Sequence, residues 1–249
     1  MGFTIQWWWN CKIFITKIDD FYPEKFIYFL ISAVIFFLLV TILNLVNSDS
    51  NPTEGLVFYW LLVPGILLIF YPTVFGIQSD VDTRMIEILF GIPNYRYKVW
   101  LIRMALIYFV VFFILIFLSL LSSVALISFP IVGMVFQLMF PIFFLGSAAF
   151  MVSTLVRNGN GTAVVMVMIG LFFWIATGFL PQKYNLFLNP FSMPSDVNEV
   201  VWADTTLNNR IFIFILTLVC VLFGLIRLQK REKFVWFCVM RIEITLLVK

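Results

Sequence analysis

Six predominantly apolar stretches, Phe26 to Leu45, Leu56 to Ile77, Met104 to Ile127, Val132 to Val156, Ala163 to Leu180 and Ile211 to Leu228, make up roughly half of this chain. Each is close to the ~20 residues an α-helix needs to cross the hydrocarbon core of a bilayer. Hydrophobic residues reach 63% and charged residues only 12%, against roughly 45–50% and about 25% in soluble domains. Too little polar sequence remains to cover a water-soluble core. The fold class is therefore all-α integral membrane, with a single six-helix unit over 26–228. Pro64, Pro72 and Pro141 fall inside these stretches and are expected to kink the spans, since membrane helices tolerate proline where neighbours satisfy the freed carbonyl.

Lys and Arg divide unevenly among the connecting segments. Lys12, Lys17 and Lys25, then Arg84, Arg96, Lys98 and Arg103, then Arg157, and finally Arg227, Lys230, Arg231, Lys233, Arg241 and Lys249 fall on one side, fourteen against Lys183 and Arg210 on the other. By the positive-inside rule both termini are expected in the cytoplasm and the chain in the plasma membrane. An odd number of spans would have spread these charges over both sides, so count and orientation agree.

The chain contains no histidine, which removes the usual general base near neutral pH, the commonest metal ligand and most hydrolase triads. Catalysis by the chain alone is not expected. Cys11, Cys220 and Cys238 lie far apart and form neither a metal nor a disulfide framework, so they read as small apolar residues. The glycine-rich run Arg157-Asn-Gly-Asn-Gly-Thr162 lacks the lysine of a phosphate-binding loop and reads as a turn between spans, so no cofactor is expected on this chain.

Residues 1–25 place Phe3, Trp7, Cys11, Phe14 and Ile18 on one helical face. This reads as an amphipathic helix in the cytoplasmic headgroup layer, or as a simple aromatic anchor ahead of the first span. Its basic residues follow the aromatic ones, the reverse of a cleaved signal.

The link from Asp80 to Arg103 carries the densest pattern. Asp82 is placed to cap a short helix over 82–90, with Arg84 and Glu87 three residues apart on one side and Met85, Ile86 and Leu89 as an apolar ridge. Gly91 and Pro93 would end it. Arg96 and Arg103 share a face of the helix that follows. Two readings stand: a peg that another protein's groove receives, or a basic link that only sets topology.

The pattern Arg84-x-Ile86-Glu87-Ile88-Leu89-x-x-x-Pro93-x-x-Arg96, preceded by Asp80 and set between the second and third of six spans, resembles the coupling-helix region of ABC-2 type transporter permeases. Met85 stands where that family usually has Thr. The likeness extends over most of the chain to about Lys233, through the six-span plan, the N-terminal interfacial helix and an extracellular re-entrant segment between spans five and six. The resemblance implies a permease subunit that pairs with a second copy or a similar chain. Its coupling helix, served by Asp80, Asp82, Arg84, Met85, Ile86, Glu87, Leu89, Pro93 and Arg96, would dock into a separate ABC ATPase subunit. ATP and Mg would be bound by that subunit, and the remaining partner is the lipid bilayer, not nucleic acid.

The segment 181–209 is too polar to span yet more apolar than a loop in water needs. It reads either as a segment dipping back into the outer leaflet or as an interfacial loop. The resemblance makes it the extracellular gate, at Leu186, Phe187, Asn189, Pro190 and Phe191. Inside the spans the polar residues are Gln137 and hydroxyls such as Ser119, Ser122, Ser123, Ser147 and Ser153, with no acid or base apart from the terminal Arg227. That disfavours an ion-coupled secondary transporter and suits a lipid-like, amphiphilic or peptide substrate. The pairs Ser119/Ser123 and Ala149/Ser153 also have the spacing of close-packing seams between subunits. Residues 229–249 form a cytoplasmic tail whose alternating pattern reads as a strand or an interfacial piece. A non-transporting membrane scaffold or assembly factor is the reading of a different class.

Overall fold

The computed structural model describes residues 26–46, 52–82, 96–156 and 158–247, with the backbone alone described at 26, 45, 77–82, 96–99 and 228–247. Among the described residues there are six α-helices and no strand: α1 (Phe26–Val46), α2 (Glu54–Asp82), α3 (Arg96–Ala125), α4 (Ile131–Val156), α5 (Gly159–Ala176) and α6 (Glu199–Leu247), with one 3-10 turn at Gln182–Tyr184. All six are long and apolar enough to cross a membrane, which makes this a multi-pass membrane protein. The N-terminal segment 1–25 and the link 83–95, with Arg84, Met85, Ile86, Glu87, Leu89 and Pro93, lie outside the described residues.

Most element boundaries shift from the sequence reading, and three of the differences bear on the architecture. Asp82, expected to cap a separate short helix, is the last residue of α2. The glycine-rich run after Arg157 is mostly helix: the Asn158 side chain accepts the Asn160 N–H at 3.0 Å, and Thr162 Oγ1 donates to the Asn158 carbonyl at 2.9 Å. This N-cap satisfies amide donors that a helix start otherwise leaves unpaired. The third difference is the largest. The last third of the expected loop 181–209 and nearly all of the expected tail 229–249 belong to α6, whose 49 residues extend roughly 74 Å at 1.5 Å per residue. Hydropathy misplaced its start because polar residues alternate with apolar ones there at helical spacing. Trp202, Asn209, Arg210, Ile213 and Cys220 are buried, while Asp204 and Asn208 are exposed.

α4 is the hub, packing against α2, α3, α5 and α6. Seventy-two per cent of its span is buried, against 67% for α2 and only 17% for α1 and α5. Small side chains allow this crowding: Gly146, Ser147, Ala148, Ala149 and Ser153 of α4 are all buried. A Cβ on Gly146 would lie 2.7 Å from Tyr108 Oη and 2.8 Å from Ile69 Cγ1, so α2 and α3 approach α4 more closely than any other residue would permit. Ser153 Oγ donates to the Val74 carbonyl at 3.4 Å, and Ser119 and Ala149 are likewise buried. Ser119, Ala149 and Ser153 therefore pack within this chain, while Ser123 is half-buried. Pro64, Pro72 and Pro141 sit inside α2 and α4.

Candidate functional site

The connection between α5 and α6 is folded into one end of the bundle, and local side-chain chemistry accounts for its path. Asn185 Oδ1 accepts the Phe187 N–H and Asn189 Oδ1 accepts the Phe191 N–H, both at 3.0 Å. These successive Asx turns reverse the chain twice within seven residues. Leu186, Phe187, Leu188 and Asn189 are thereby buried. The Phe187 ring lies 5.8 Å from Trp174 of α5, and the Phe191 ring 6.1 Å from Phe58 of α2.

Irregular backbone persists at such a depth only where its polar groups find partners within the protein. The start of α6 provides most of them. Asn209 Nδ2 faces the carbonyls of Asn185, Lys183 and Gln182 at 2.8, 3.2 and 3.4 Å. Trp202 Nε1 donates to the Pro190 carbonyl at 2.9 Å, and Arg210 Nη2 to the Leu188 carbonyl at 3.2 Å. On the opposite flank Asn189 Nδ2 donates to the Gly55 carbonyl at 2.7 Å. Gly55 admits this contact, because a Cβ there would stand 3.2 Å from both Asn189 Nδ2 and Ser192 Cβ.

Arg210 organises the other side of the cluster. Its Nε donates to Gln137 Oε1 of α4 at 2.7 Å and its Nη1 to Asn209 Oδ1 at 3.0 Å, while its guanidinium carbon lies 5.5 Å from the centroid of the Phe140 ring. Only 6% of the residue is exposed. Beside it runs an open groove of about 530 Å³ between α4, α6 and the loop. A second arginine, Arg103 of α3, is buried towards the other end of the bundle, over the Trp100 ring at 5.5 Å.

The sequence-predicted loop residues thus come together: Leu186, Phe187 and Asn189 are buried, and Pro190 and Phe191 half-buried at the α2 contact. Of the link residues, Asp80 and Asp82 end α2 and Arg96 opens α3, at the end away from this loop. Sequence reasoning singled out Gln137 only as a polar residue inside a span, and it missed Gly55, Trp202, Asn209 and Arg210 as parts of this site. It counted Arg103 and Arg210 as link and loop charges just outside the third and sixth spans, whereas α3 and α6 each bury an arginine. Two signals were available: the repeated Asn-x-Phe at 185–187 and 189–191, and the helical spacing of Trp202, Thr206, Asn209, Arg210 and Ile213. The chain matches no protein-family model, no curated protein and no solved structure.

Arg210 is thus held by neutral acceptors, and the loop carbonyls of Asn185, Leu188 and Pro190 are tied to side chains of α6.

Proposed function

We propose that this chain is the transmembrane permease subunit of an ABC-2 type exporter. It carries a lipid-like, amphiphilic or peptide substrate across the plasma membrane, with both termini cytoplasmic, using ATP hydrolysed by a separate ABC ATPase subunit. The chain itself is not the catalyst, and it pairs with a second copy or a similar permease. The observation that carries this reading is the loop 185–191, folded into one end of the bundle where α2 begins, while α2 ends at the link whose sequence resembles a coupling helix. A closed outer end and a docking inner end are what alternating access requires.

The two flanks of the loop are held unequally, and this suggests how it opens. Toward α6 it is tied by Trp202, Asn209 and Arg210. Toward α2 it is held by the Asn189 hydrogen bond to Gly55 and the Phe58–Phe191 ring contact. The loop moves with α6 and parts from α2. ATP binding at the partner biases this two-state element through differential contact with the coupling helix.

Two experiments test this. Wild type is expected to co-purify in mild detergent with an ATPase subunit, and a Glu87→Lys, Leu89→Asp double variant to lose it while still inserting. Retention of the ATPase by both, or by neither, moves the scaffold reading ahead. With the native cysteines replaced, Gly55→Cys with Ser192→Cys brings two thiols within bridging range. Oxidation is expected to lower the ATPase activity of the assembled complex several-fold, and reduction to restore it. Unchanged activity in the bridged form would remove the gate.

A further inference from the structure

We propose that the groove beside Arg210 binds the headgroup of an anionic membrane lipid, its phosphate on the guanidinium and its acyl chains leaving inward along α4 and α6. This stands whether or not the protein is a transporter. The first support is the state of the cation. Arg210 is buried, and its partners are all neutral: the Gln137 and Asn209 amide oxygens, the Leu188 carbonyl and the Phe140 ring. No carboxylate among the described residues pairs with it. A guanidinium carries five N–H donors, and these bonds use three. Each terminal nitrogen has a second N–H for which no acceptor is found among the described residues, and guanidinium N–H pairs grip a phosphate or carboxylate in a bidentate way.

The second support is the groove itself. It holds about 530 Å³ and is walled by Phe136, Phe140, Met193, Trp202 and Leu207, with Arg210 among its lining residues. That volume falls within the ~300–1,000 Å³ of small-ligand sites, which typically combine apolar walls with a few polar groups. Phe136 and Leu207 are each 58% exposed, so the groove opens sideways onto the outer surface of the bundle, and exposed Phe214, seven residues on from Leu207, continues that face inward of Arg210. Glu199, also on the groove, stands three helical turns from Arg210, roughly 16 Å along the axis, too far to compete for the guanidinium.

The test is native mass spectrometry of the full chain released from nanodiscs containing equal phosphatidylglycerol and phosphatidylcholine. Wild type is expected to retain one phosphatidylglycerol with about tenfold preference, as charge-assisted hydrogen bonds predict, and Arg210→Gln to lose the preference. Because Arg210→Gln also removes a tie to the loop, Ala203→Trp provides the second variant. It fills the groove from an exposed position, leaves every Arg210 partner in place, and is expected to abolish retention with an unchanged melting temperature. Inorganic phosphate in excess is expected to leave the lipid bound. Equal retention of phosphatidylcholine, displacement by free phosphate, or retention by Ala203→Trp at the wild-type level would each overturn the assignment.

Discussion

Helices α4 and α5 are consecutive and similarly apolar, yet 72% of the α4 span is buried within the chain and only 17% of the α5 span. Val164, Met168, Leu171, Phe172 and Ile175 of α5 turn outward, and Gly170 has open space around its Cα. α4 instead presents Gly146, Ser147, Ala149 and Ser153 to its neighbours and sends Gln137 to Arg210. Apolarity says that a helix enters the membrane. It does not say what the helix faces there, because lipid tails are as apolar as leucine, and helices associate through close packing and hydrogen bonds. Small residues and matched polar groups distinguish an interior helix from a peripheral one.

The sharpest way to break this contrast is to place the same bulk on both helices. Gly146→Leu forces a side chain into Tyr108 and Ile69 and is expected to destabilise by about 3 kcal/mol or more, whereas Gly170→Leu is expected to stay within about 0.5 kcal/mol. Melting of the detergent-solubilised proteins compares them directly. A smaller effect is expected when the loop carbonyls lose their donor. Asn209→Leu takes the donor from the Lys183 carbonyl and leaves those of Gln182 and Asn185 only their turn bonds, and should cost about 1–3 kcal/mol, seen as a lower unfolding midpoint and faster proteolysis within 181–198. Its counterpart beyond α5, Thr177→Val, removes an exposed bond to the Trp174 carbonyl and should be near neutral.

Gln137→Leu tests whether the polar residue on α4 matters only through its partner. Losing an acceptor for a buried cation is expected to cost about 1.5–3 kcal/mol, and the double variant with Arg210→Leu should recover part of that, a coupling readable from a double-mutant cycle. Among the buried polar groups the smallest effect belongs to hydroxyls with no partner among the described residues. Ser119 and Ser122 on α3 are fully buried, and their Oγ atoms make no hydrogen bond among the described residues. Ser119→Ala and Ser122→Ala are therefore expected to be neutral or to raise stability by up to about 1 kcal/mol. A clear loss on either substitution would mean that these hydroxyls serve packing in a way the contrast between α4 and α5 does not capture.

Much of the helical plan was legible because the energetic demand is local: each backbone amide in hydrocarbon needs a partner in its own segment, so a long apolar run has one solution. The candidate site was legible in part. Asn189, Pro190 and Phe191 stood out as a turn in a segment too apolar for water, and they do fold inward. Arg210 did not stand out, since a charge at the edge of an apolar run looks the same whether it faces solvent or a buried amide. The start of α6 was hidden for a related reason: its Asp204 and Asn208 dilute the hydropathy while its Trp202 and Asn209 face the bundle.

The sequence by itself determined that this chain is helical, that it enters a membrane, and that six of its described helices are long and apolar enough to span it, because those follow from the length of apolar runs and the cost of unpaired backbone in lipid. Only the tertiary structure decided which helix lies at the centre, where the loop before α6 is tied, and that Arg210 is buried with neutral partners beside a groove. Those outcomes depend on contacts between residues as distant as Gly55 and Asn189 or Gln137 and Arg210. No spacing along the chain records such contacts.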